Sequence, residues 1–197
     1  MTSCGGDGKK KLMTREEMSE KGFTELFRQI EPAEIDESVF KLVGEDFTVI
    51  TSGGISDYNS MVASWGGWGI LFNNPVTWCF LRANRYTLEY IKANGTYTMC
   101  YFDDPYKEDI MIFGAKSGRD TDKMEEHPML AVATPGGGVA YKEAKLIIEC
   151  RITGLTTVSP DDFYTAEGRE FIEGGFAEAQ DFHKLVFGDI TSVWVKK

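Results

Sequence analysis

The sequence predicts a mainly β protein, an antiparallel barrel with a few peripheral helices, and three observations lead to that prediction. Short segments rich in β-branched and aromatic residues recur along the chain. Turn-forming stretches separate them, and only isolated helical patterns lie between. Strands and helices do not alternate as they do in a doubly wound parallel sheet, so an antiparallel barrel is favoured.

Length and composition fit one large globular domain and exclude several classes of function. The chain has 197 residues, of which 42% are hydrophobic and 26% charged, so it can bury a sizeable core. Its formal net charge of -10 argues against a nucleic acid partner, because such binding depends on many neutralised phosphates. The sequence has no apolar stretch of membrane-spanning length. We therefore expect neither a nucleic acid nor a membrane partner.

Cysteines and histidines are few. The four cysteines are far apart and form no CxxC motif, which predicts neither a metal site nor a disulfide framework and fits a reducing cytoplasm. Of the two histidines, His127 lies at a predicted helix end, where capping explains it. His183 opens the last predicted strand and is the better functional candidate, although an ordinary strand-end histidine is the more common case.

Residues 1–30 are predicted to form an N-terminal tail and helix, and residues 31–197 the barrel domain. The opening stretch is charged and has no apolar segment behind it, which excludes a secretory signal and predicts a soluble, partly ordered tail. Apolar residues such as Phe23, Leu26 and Phe27 then recur at helical spacing. That spacing predicts an amphipathic helix up to residue 30.

Several segments have the composition and alternation of strands. They are DFTVITS from Asp46, YNSMVASW from Tyr58, VTWCFLR from Val76, TYTMCYF from Thr96, KLIIECRITGL from Lys145 and FHKLVFGDITSVWVKK from Phe182. The first three are predicted to be consecutive antiparallel strands. In the fifth, Leu146 and Ile148 are expected on the buried face and Glu149 on the solvent face. The last is predicted to bulge at Gly188.

Helical patterns interrupt these strands. RYTLEYIKANG is predicted as a helix that Thr87 caps and Gly95 ends. YKEDIMIFGAKSGRDTDKMEEH is predicted as two short helices around a glycine turn, the second beginning near Asp120. Residues 160–180 are predicted as an acidic helical excursion that Gly174 and Gly175 interrupt. The stretch TPGGGVAY is predicted to join two strands.

Two basic clusters are candidates for binding an anion. The first cluster lies at a turn before a predicted helix, where unpaired N–H groups and small residues admit a phosphate; its residues are Lys116, Ser117, Gly118, Arg119, Asp120 and Lys123. Asp120 either caps that helix or orients Arg119. The second cluster joins a strand to a helix and consists of Arg82, Asn84, Arg85 and Thr87. If the fold brings both together, they could hold a dianion; solvated turns and independent surface salt bridges are the alternatives.

A third candidate lies where a strand ends in small residues. In YNSMVASWGGWG, Ala63 and Ser64 would let backbone groups reach the edge of a ligand, and the indole of Trp65 could cover a planar ring. The alternative is a buried strand followed by a loose turn.

In their order and spacing, these motifs make the chain resemble the flavin reductase-like, FMN-binding split-barrel family, especially its flavoredoxin-type members. The resemblance rests on YNSMVASWGGWGILFNNPVTWCFLRANRYTLEYIKANGTYTMCYF, GAKSGRDTDK and HKLVFGDI, and it runs from about Phe40 to Val195. It implies a homodimeric, six-stranded Greek-key barrel that binds FMN noncovalently near the subunit interface. It also implies that both basic clusters hold the phosphate. The residues implied along the isoalloxazine ring are Met61, Val62, Ala63, Ser64 and Trp65.

The resemblance further implies an oxidoreductase that transfers electrons from NAD(P)H through FMN to a small-molecule or protein acceptor. His183 matches a histidine that some reductases place near the nicotinamide. Relatives commonly have Thr where this chain has Val62, so one hydroxyl contact to flavin is absent. Two other functions remain open. One is an FMN-binding electron relay without its own NAD(P)H oxidation, and the other is a heme-binding or purely interacting barrel.

Overall fold

The computed structural model describes residues 12–176 and 181–197, and it confirms the predicted class, mainly antiparallel β with peripheral helices. The strands are β1 (Phe27–Ile30), β2 (Thr48–Gly54), β3 (Asp57–Ala63), β4 (Gly66–Leu71), β5 (Asn74–Arg82), β6 (Thr96–Tyr101), β7 (Ala131–Ala133), β8 (Val139–Tyr141), β9 (Leu146–Thr157) and β10 (His183–Lys196). The α-helices are α1 (Arg15–Ser19), α2 (Phe23–Leu26), α3 (Val39–Gly44), α4 (Tyr86–Asn94), α5 (Lys107–Ile110), α6 (Ile112–Ala115), α7 (Lys123–Glu126) and α8 (Ala166–Phe176).

Eight strands form one antiparallel sheet that curls into a barrel. Their order is β3-β2-β6-β9-β10-β5-β4, and β1 pairs with β10 as well. The outer strands β3 and β4 are joined only by Ser64 and Trp65. The three Cα–Cα steps from Ala63 to Gly66 reach about 10 Å at most. If the seven strands lay flat, however, β3 and β4 would be roughly 29 Å apart. The sheet must therefore bend until β3 and β4 are close, and the barrel is split between them.

Both faces of the sheet are buried, because side chains alternate between two apolar clusters. Ile148 packs inside the barrel with Ile50 and Leu81, whereas its neighbour Ile147 packs on the outer face with Phe113. Burying each such aliphatic side chain stabilises the fold by about 1.5–3 kcal/mol.

Glu149 follows this alternation onto the outer face but is not in solvent, so its predicted exposure is wrong. It is only 4% exposed, and its carboxylate accepts hydrogen bonds from the Trp194 indole at 2.7 Å and from the Thr134 hydroxyl.

The N-terminal segment differs from its prediction in the second half. Thr14 caps α1 with a capping box, and α2 ends at Leu26, but Phe27–Ile30 is a strand rather than the end of a helix. Its partner is β10, with Phe27 opposite Lys196. The tail before residue 12, including Cys4, lies outside the described residues.

Strand β4 was not predicted, and with β1 it brings the sheet from the expected six strands to eight. Its glycines have weak β propensity, so its segment lacks the usual strand composition. The structure explains why glycines occupy these positions. A Cβ on Gly67 would lie 3.1 Å from the Trp78 ring, which packs across this glycine face. Strand β2 pairs with β3 as predicted, but β4 follows β3 along the chain, and β5 pairs with β4 and β10 rather than with β3.

Other turns match the sequence more closely. Gly95 ends α4 in the left-handed region at φ 71°, the TPGGG turn joins β7 to β8, and the ladder of β10 shifts register at Gly188. All three predictions are confirmed. By contrast, Gly174 and Gly175 do not interrupt α8, which continues to Phe176, and residues 177–180 of the predicted excursion lie outside the described part.

Between residues 106 and 127 the structure has three short helices, α5, α6 and α7, where the sequence predicted two. The last of these, α7, begins at Lys123 with Asp122 as its N-cap, so Asp120 does not cap it. Thr87 likewise does not cap α4, where Arg85 occupies the N-cap position. Within the described residues, no helix has the length and apolar character needed to cross a membrane.

Candidate functional site

The two basic clusters line one cavity of about 310 Å³. The fold brings them together because α4 starts at one end of β5 while the chain after α6 turns back over the start of α4. Of the residues in these clusters, nine line the cavity: Asn84, Arg85, Thr87, Lys116, Ser117, Gly118, Arg119, Asp120 and Lys123. We call this space the basic cavity. Arg82 is not among its lining residues.

The four cations of the basic cavity differ in what neutralises them. Lys116 pairs with Glu126, and Arg119 pairs with Glu89 and donates to the Asn84 carbonyl oxygen at 2.6 Å. Within the described part of the chain, neither Arg85 nor Lys123 has a carboxylate partner. These two side chains therefore leave positive charge in the cavity that an anion could neutralise.

Lys123 is the more unusual of the two because it is only 3% exposed. Its ammonium donates to the carbonyl oxygens of Phe113 at 3.2 Å and Lys116 at 3.0 Å. Burial, with a smaller contribution from the nearby Arg85 charge, lowers the pKa of Lys123 to about 8. A buried ammonium without an acidic partner is costly. Its charged form would gain much from an anionic ligand.

The floor of the basic cavity is a close contact between Gly118 and Asn59. A Cβ on Gly118 would lie 2.2 Å from Asn59 Oδ1, so only glycine fits there without displacing the amide. Asn59 Nδ2 donates to the Thr87 hydroxyl at 2.7 Å, which explains why Thr87 is buried rather than capping α4. Asn59 was not among the predicted site residues, because its partner lies 28 positions away in sequence.

A second cavity of about 210 Å³ lies at the split of the barrel. Its walls include the strand end that was predicted to lie along a planar ring, namely Met61, Val62, Ala63, Ser64 and Trp65, together with Phe80, Arg82, Arg85, Phe176 and His183. We call it the aromatic cavity. It shares Met61 and Arg85 with the basic cavity, so the two spaces adjoin.

Aromatic rings close one side of this cavity. The rings of Trp65 and His183 are 4.8 Å apart at their centroids with a 37° tilt, and Phe176 meets His183 edge-on at 4.6 Å. Phe171, also on α8, packs 6.0 Å from Trp65. Neither Phe171 nor Phe176 was predicted, because only the fold shows where α8 packs.

His183 is 7% exposed, and its Nδ1 atom is buried with no hydrogen-bond partner in the described structure. Burial first, and then the charges of Arg82 and Arg85, lower its pKa despite the opposing effect of Asp181. The lowered pKa favours the neutral imidazole, and the ring lines the aromatic cavity.

Arg82 has a structural partner that the sequence did not reveal. Its Nε donates to buried Asp181 at 2.5 Å, and the other carboxylate oxygen accepts from the Asn84 backbone N–H at 2.8 Å. Arg82 therefore lies outside the basic cavity in this structure, and its contact with a phosphate stays a prediction. Its guanidinium instead lies 5.6 Å over Phe176 and forms part of the aromatic cavity.

His127 lines neither cavity and has an adequate structural role. Its Nδ1 accepts from the Met129 backbone N–H at 3.2 Å, and burial lowers its pKa to about 4.

A comparison with known protein families identifies the family to which this chain belongs. The family model described as "Flavin reductase like domain" matches residues 41–197. A comparison with curated proteins gives no match. One similar solved structure is the FMN-binding protein from Thermus thermophilus with bound 1-cyclohex-2-enone, 17% identical at a TM-score of 0.59, with 85% of this chain and 78% of that chain covered.

Two further solved structures are similar in fold. Flavoredoxin from Methanosarcina acetivorans is 18% identical at a TM-score of 0.59, covering 85% of this chain and 77% of its own. The NADH:FAD oxidoreductase from Streptomyces globisporus is 14% identical at a TM-score of 0.54, covering 77% and 72%. At such identities the likeness shows the fold alone. Since the family model covers most of the chain, this protein belongs to the flavin reductase-like family of split barrels.

Proposed function

We propose that this protein is an oxidoreductase that binds FMN, with the phosphate in the basic cavity and the isoalloxazine ring in the aromatic cavity. One observation carries the proposal: the two cavities share Met61 and Arg85. A ligand with an anionic end and a planar end can therefore occupy both. The FMN-binding protein that is similar in fold supports the same cofactor class.

The residues of the basic cavity fit a phosphate monoester. Arg85 and Lys123 carry charge that no carboxylate of the described residues neutralises, and Gly118 leaves the backbone open to close approach. Ser117, Asn84 and Thr87 add hydroxyl and amide groups to the same wall. Arg119 remains a candidate contact, although its present bonds to Glu89 and Asn84 must be shared or exchanged.

The residues of the aromatic cavity fit a flavin ring. Met61 and Val62 supply apolar surface, and the backbone amides from Ala63 to Trp65 are the candidate donors to the polar edge of the ring. Ser64 and Trp65 lie between β3 and β4, outside both strands. Val62 offers no hydroxyl, so we expect this chain to hold the ring through backbone groups.

When bound, FMN would supply the redox chemistry, the transfer of electrons from NAD(P)H to a small-molecule or protein acceptor. The side chains of the aromatic cavity position the flavin and shield it from solvent. Trp65 and Phe176 hold the His183 ring from two sides, and His183 offers a neutral imidazole to a ligand in the cavity. We propose that His183 contacts the hydride donor as a hydrogen-bonding group rather than as a charged one.

We further propose a homodimer, assembled through the hairpin of β4 and β5. Ile70 is 71% exposed and Phe72 is 86% exposed at its tip, and Phe40 on α3 is 86% exposed. Phe72 also holds a positive φ of 50°, which is costly for a bulky residue. A large apolar side chain kept both exposed and strained fits an interface. An adjoining apolar cavity shares Ser64 with the aromatic cavity, so this face borders the flavin site.

The visible absorption spectrum of the purified protein tests the cofactor. We expect the absorption bands of oxidised flavin, either as purified or after incubation with FMN. A protein that stays colourless after removal of excess FMN would overturn the proposal.

Rapid mixing with NADH and NADPH tests the enzyme. Fast bleaching of bound flavin supports an NAD(P)H-dependent reductase. A specific observation favours the alternative, an electron relay without its own NAD(P)H oxidation: Phe171 and Phe176 already cover Trp65 and His183, leaving only about 210 Å³. Slow bleaching by both donors, with fast reduction by dithionite, would establish the relay.

A further inference from the structure

A third cavity adjoins the basic cavity and is the largest of the three, at about 640 Å³. The two share Asn59, Tyr86, Gly118, Arg119 and Asp120. A ligand that continued beyond the proposed phosphate position would therefore enter this third cavity.

The charges on its walls are of the opposite sign to those of the basic cavity. Four carboxylates line it, those of Asp57, Asp120, Asp122 and Glu125, against one cation, Arg119. That cation is already engaged, because its guanidinium pairs with Glu89 and stacks 4.8 Å over the Tyr86 ring. We call these four carboxylates the acidic wall.

Two tyrosines, Tyr58 and Tyr90, line the third cavity beside these carboxylates. Tyr90 donates its hydroxyl proton to Asp57 at 2.7 Å, and that bond is the main reason why its pKa is raised. Burial and then the charge of Asp122 raise the pKa of Tyr58. The charge of a wall carboxylate is a smaller contribution to each shift, from Asp57 for Tyr90 and from Asp122 for Tyr58.

We propose that the acidic wall makes the site selective for the monophosphate FMN over the dinucleotide FAD. This inference rests on the proposed function. A phosphate monoester carries nearly two negative charges at neutral pH. In FAD the same phosphorus carries one, so its attraction to Arg85 and Lys123 is weaker. The second phosphate of FAD, with its own charge, would lie toward the acidic wall. Both effects oppose FAD although the third cavity has room for a nucleoside.

Titration of the flavin-free, full-length protein with riboflavin, FMN and FAD, followed by flavin fluorescence, tests the inference. At low salt we expect FMN to bind at least about tenfold more tightly than FAD. The variant Asp122→Asn/Glu125→Gln should bring that ratio down to about threefold or less, mainly by tightening FAD. The amide substitutions keep side-chain size, and circular dichroism checks that the variants fold.

A matched control has the same charge change elsewhere. Glu108→Gln/Asp109→Asn lies on α5, and neither residue lines any of the three cavities. This control should leave the FMN to FAD ratio unchanged. The wild-type ratio should also fall at high salt, because the acidic wall is exposed and its field is screened.

Each failure points to a different claim. FMN binding no tighter than riboflavin would overturn the proposed phosphate site, and the selectivity with it. FMN binding tighter than riboflavin but equal to FAD would overturn the selectivity alone. A strong preference for FMN that the Asp122→Asn/Glu125→Gln variant leaves intact would show that the acidic wall is not its cause.

Discussion

Lys123 is the single residue that says most about the ligand. It lies in a protein of net charge -10, yet its ammonium is buried against two carbonyl oxygens and no described carboxylate. The sequence marked Lys123 as one of three basic residues around a turn, but it could not show which of the three would be buried. Its burial follows from α7, which starts at Lys123 and packs beside β3.

Replacing Lys123 by Met keeps the volume and removes the charge. We expect FMN to bind about tenfold to a hundredfold more weakly, because a charge-assisted contact contributes about 1.5–3 kcal/mol. Riboflavin binding and thermal stability should stay close to wild type, because the loss of two hydrogen bonds to carbonyl oxygens is offset by removing the cost of a buried ammonium. Lys92→Met, on the exposed side of α4, is the control and should leave FMN affinity unchanged. Equal losses for riboflavin and FMN would remove Lys123 from the phosphate site.

The lowered pKa of Lys123 also makes FMN affinity depend on pH. Because the free protein loses this proton near pH 8, below the ordinary 10.5, binding a dianion above pH 8 requires proton uptake. We expect FMN affinity to fall as pH rises above about 8, by up to about tenfold per pH unit. The stability of the ligand-free protein depends on pH with the opposite sign. Between about pH 8 and pH 10.5 the unfolded chain binds more protons than the folded protein, so the free energy of unfolding rises with pH. Titration calorimetry from pH 7 to 10 measures the first effect, and Lys123→Met should abolish the fall.

At the scale of single residues, sequence reasoning located most of the cavity walls but did not show that Arg82 lies outside the basic cavity. Nine residues of the two basic clusters do line one cavity. Arg82 does not, because buried Asp181, 99 positions away, holds it in an ion pair. Such long-range partners leave no local pattern in the sequence.

The elements that form the site are turns, and glycines shape them. Gly118→Ala should lower thermal stability by about 1–3 kcal/mol and weaken FMN binding at least about tenfold, because the new Cβ would displace Asn59 and break its bond to Thr87. Gly175→Ala is the matched control, since a Cβ there meets nothing within 4 Å. In a helix it should stabilise by about 0.5–1 kcal/mol. Similar effects of both substitutions would contradict the close-contact account.

Most elements could be predicted from local pattern, and the exceptions have physical causes. Phe23, Leu26, Phe27 and Ile30 have helical spacing, but pairing with β10 overrides that preference after Leu26. Strand β4 was not predicted because three of its six residues are glycines, of which Gly67 and Gly69 face the Trp78 ring. Both errors arise from tertiary contacts that a local window does not contain.

For the whole molecule, the barrel is a consequence of connectivity. The edge strands β3 and β4 follow each other along the chain, so the sheet has to curl, and the proposed flavin ring site lies at the resulting split. The class of fold was predictable from strand composition and the absence of regular strand–helix alternation. The proposed subunit interface was not, because it depends on which apolar residues remain exposed after folding.

Phe72→Asn tests the proposed subunit interface. Asn tolerates a positive φ better than Phe, so we expect a monomer at least as stable as the wild-type subunit, with much weaker self-association. Analytical ultracentrifugation over a range of concentrations measures this change. Tyr164→Ser removes another exposed aromatic side chain and should leave the dimer intact. A wild-type protein that stays monomeric throughout would contradict the proposed dimer.

A crystal structure of the protein with FMN tests the central claim most directly. We predict phosphate oxygens within about 3.2 Å of both Lys123 Nζ and the Arg85 guanidinium, with the ring between Met61 and Trp65. A phosphate bound away from both cations, or a ring outside the aromatic cavity, would contradict it.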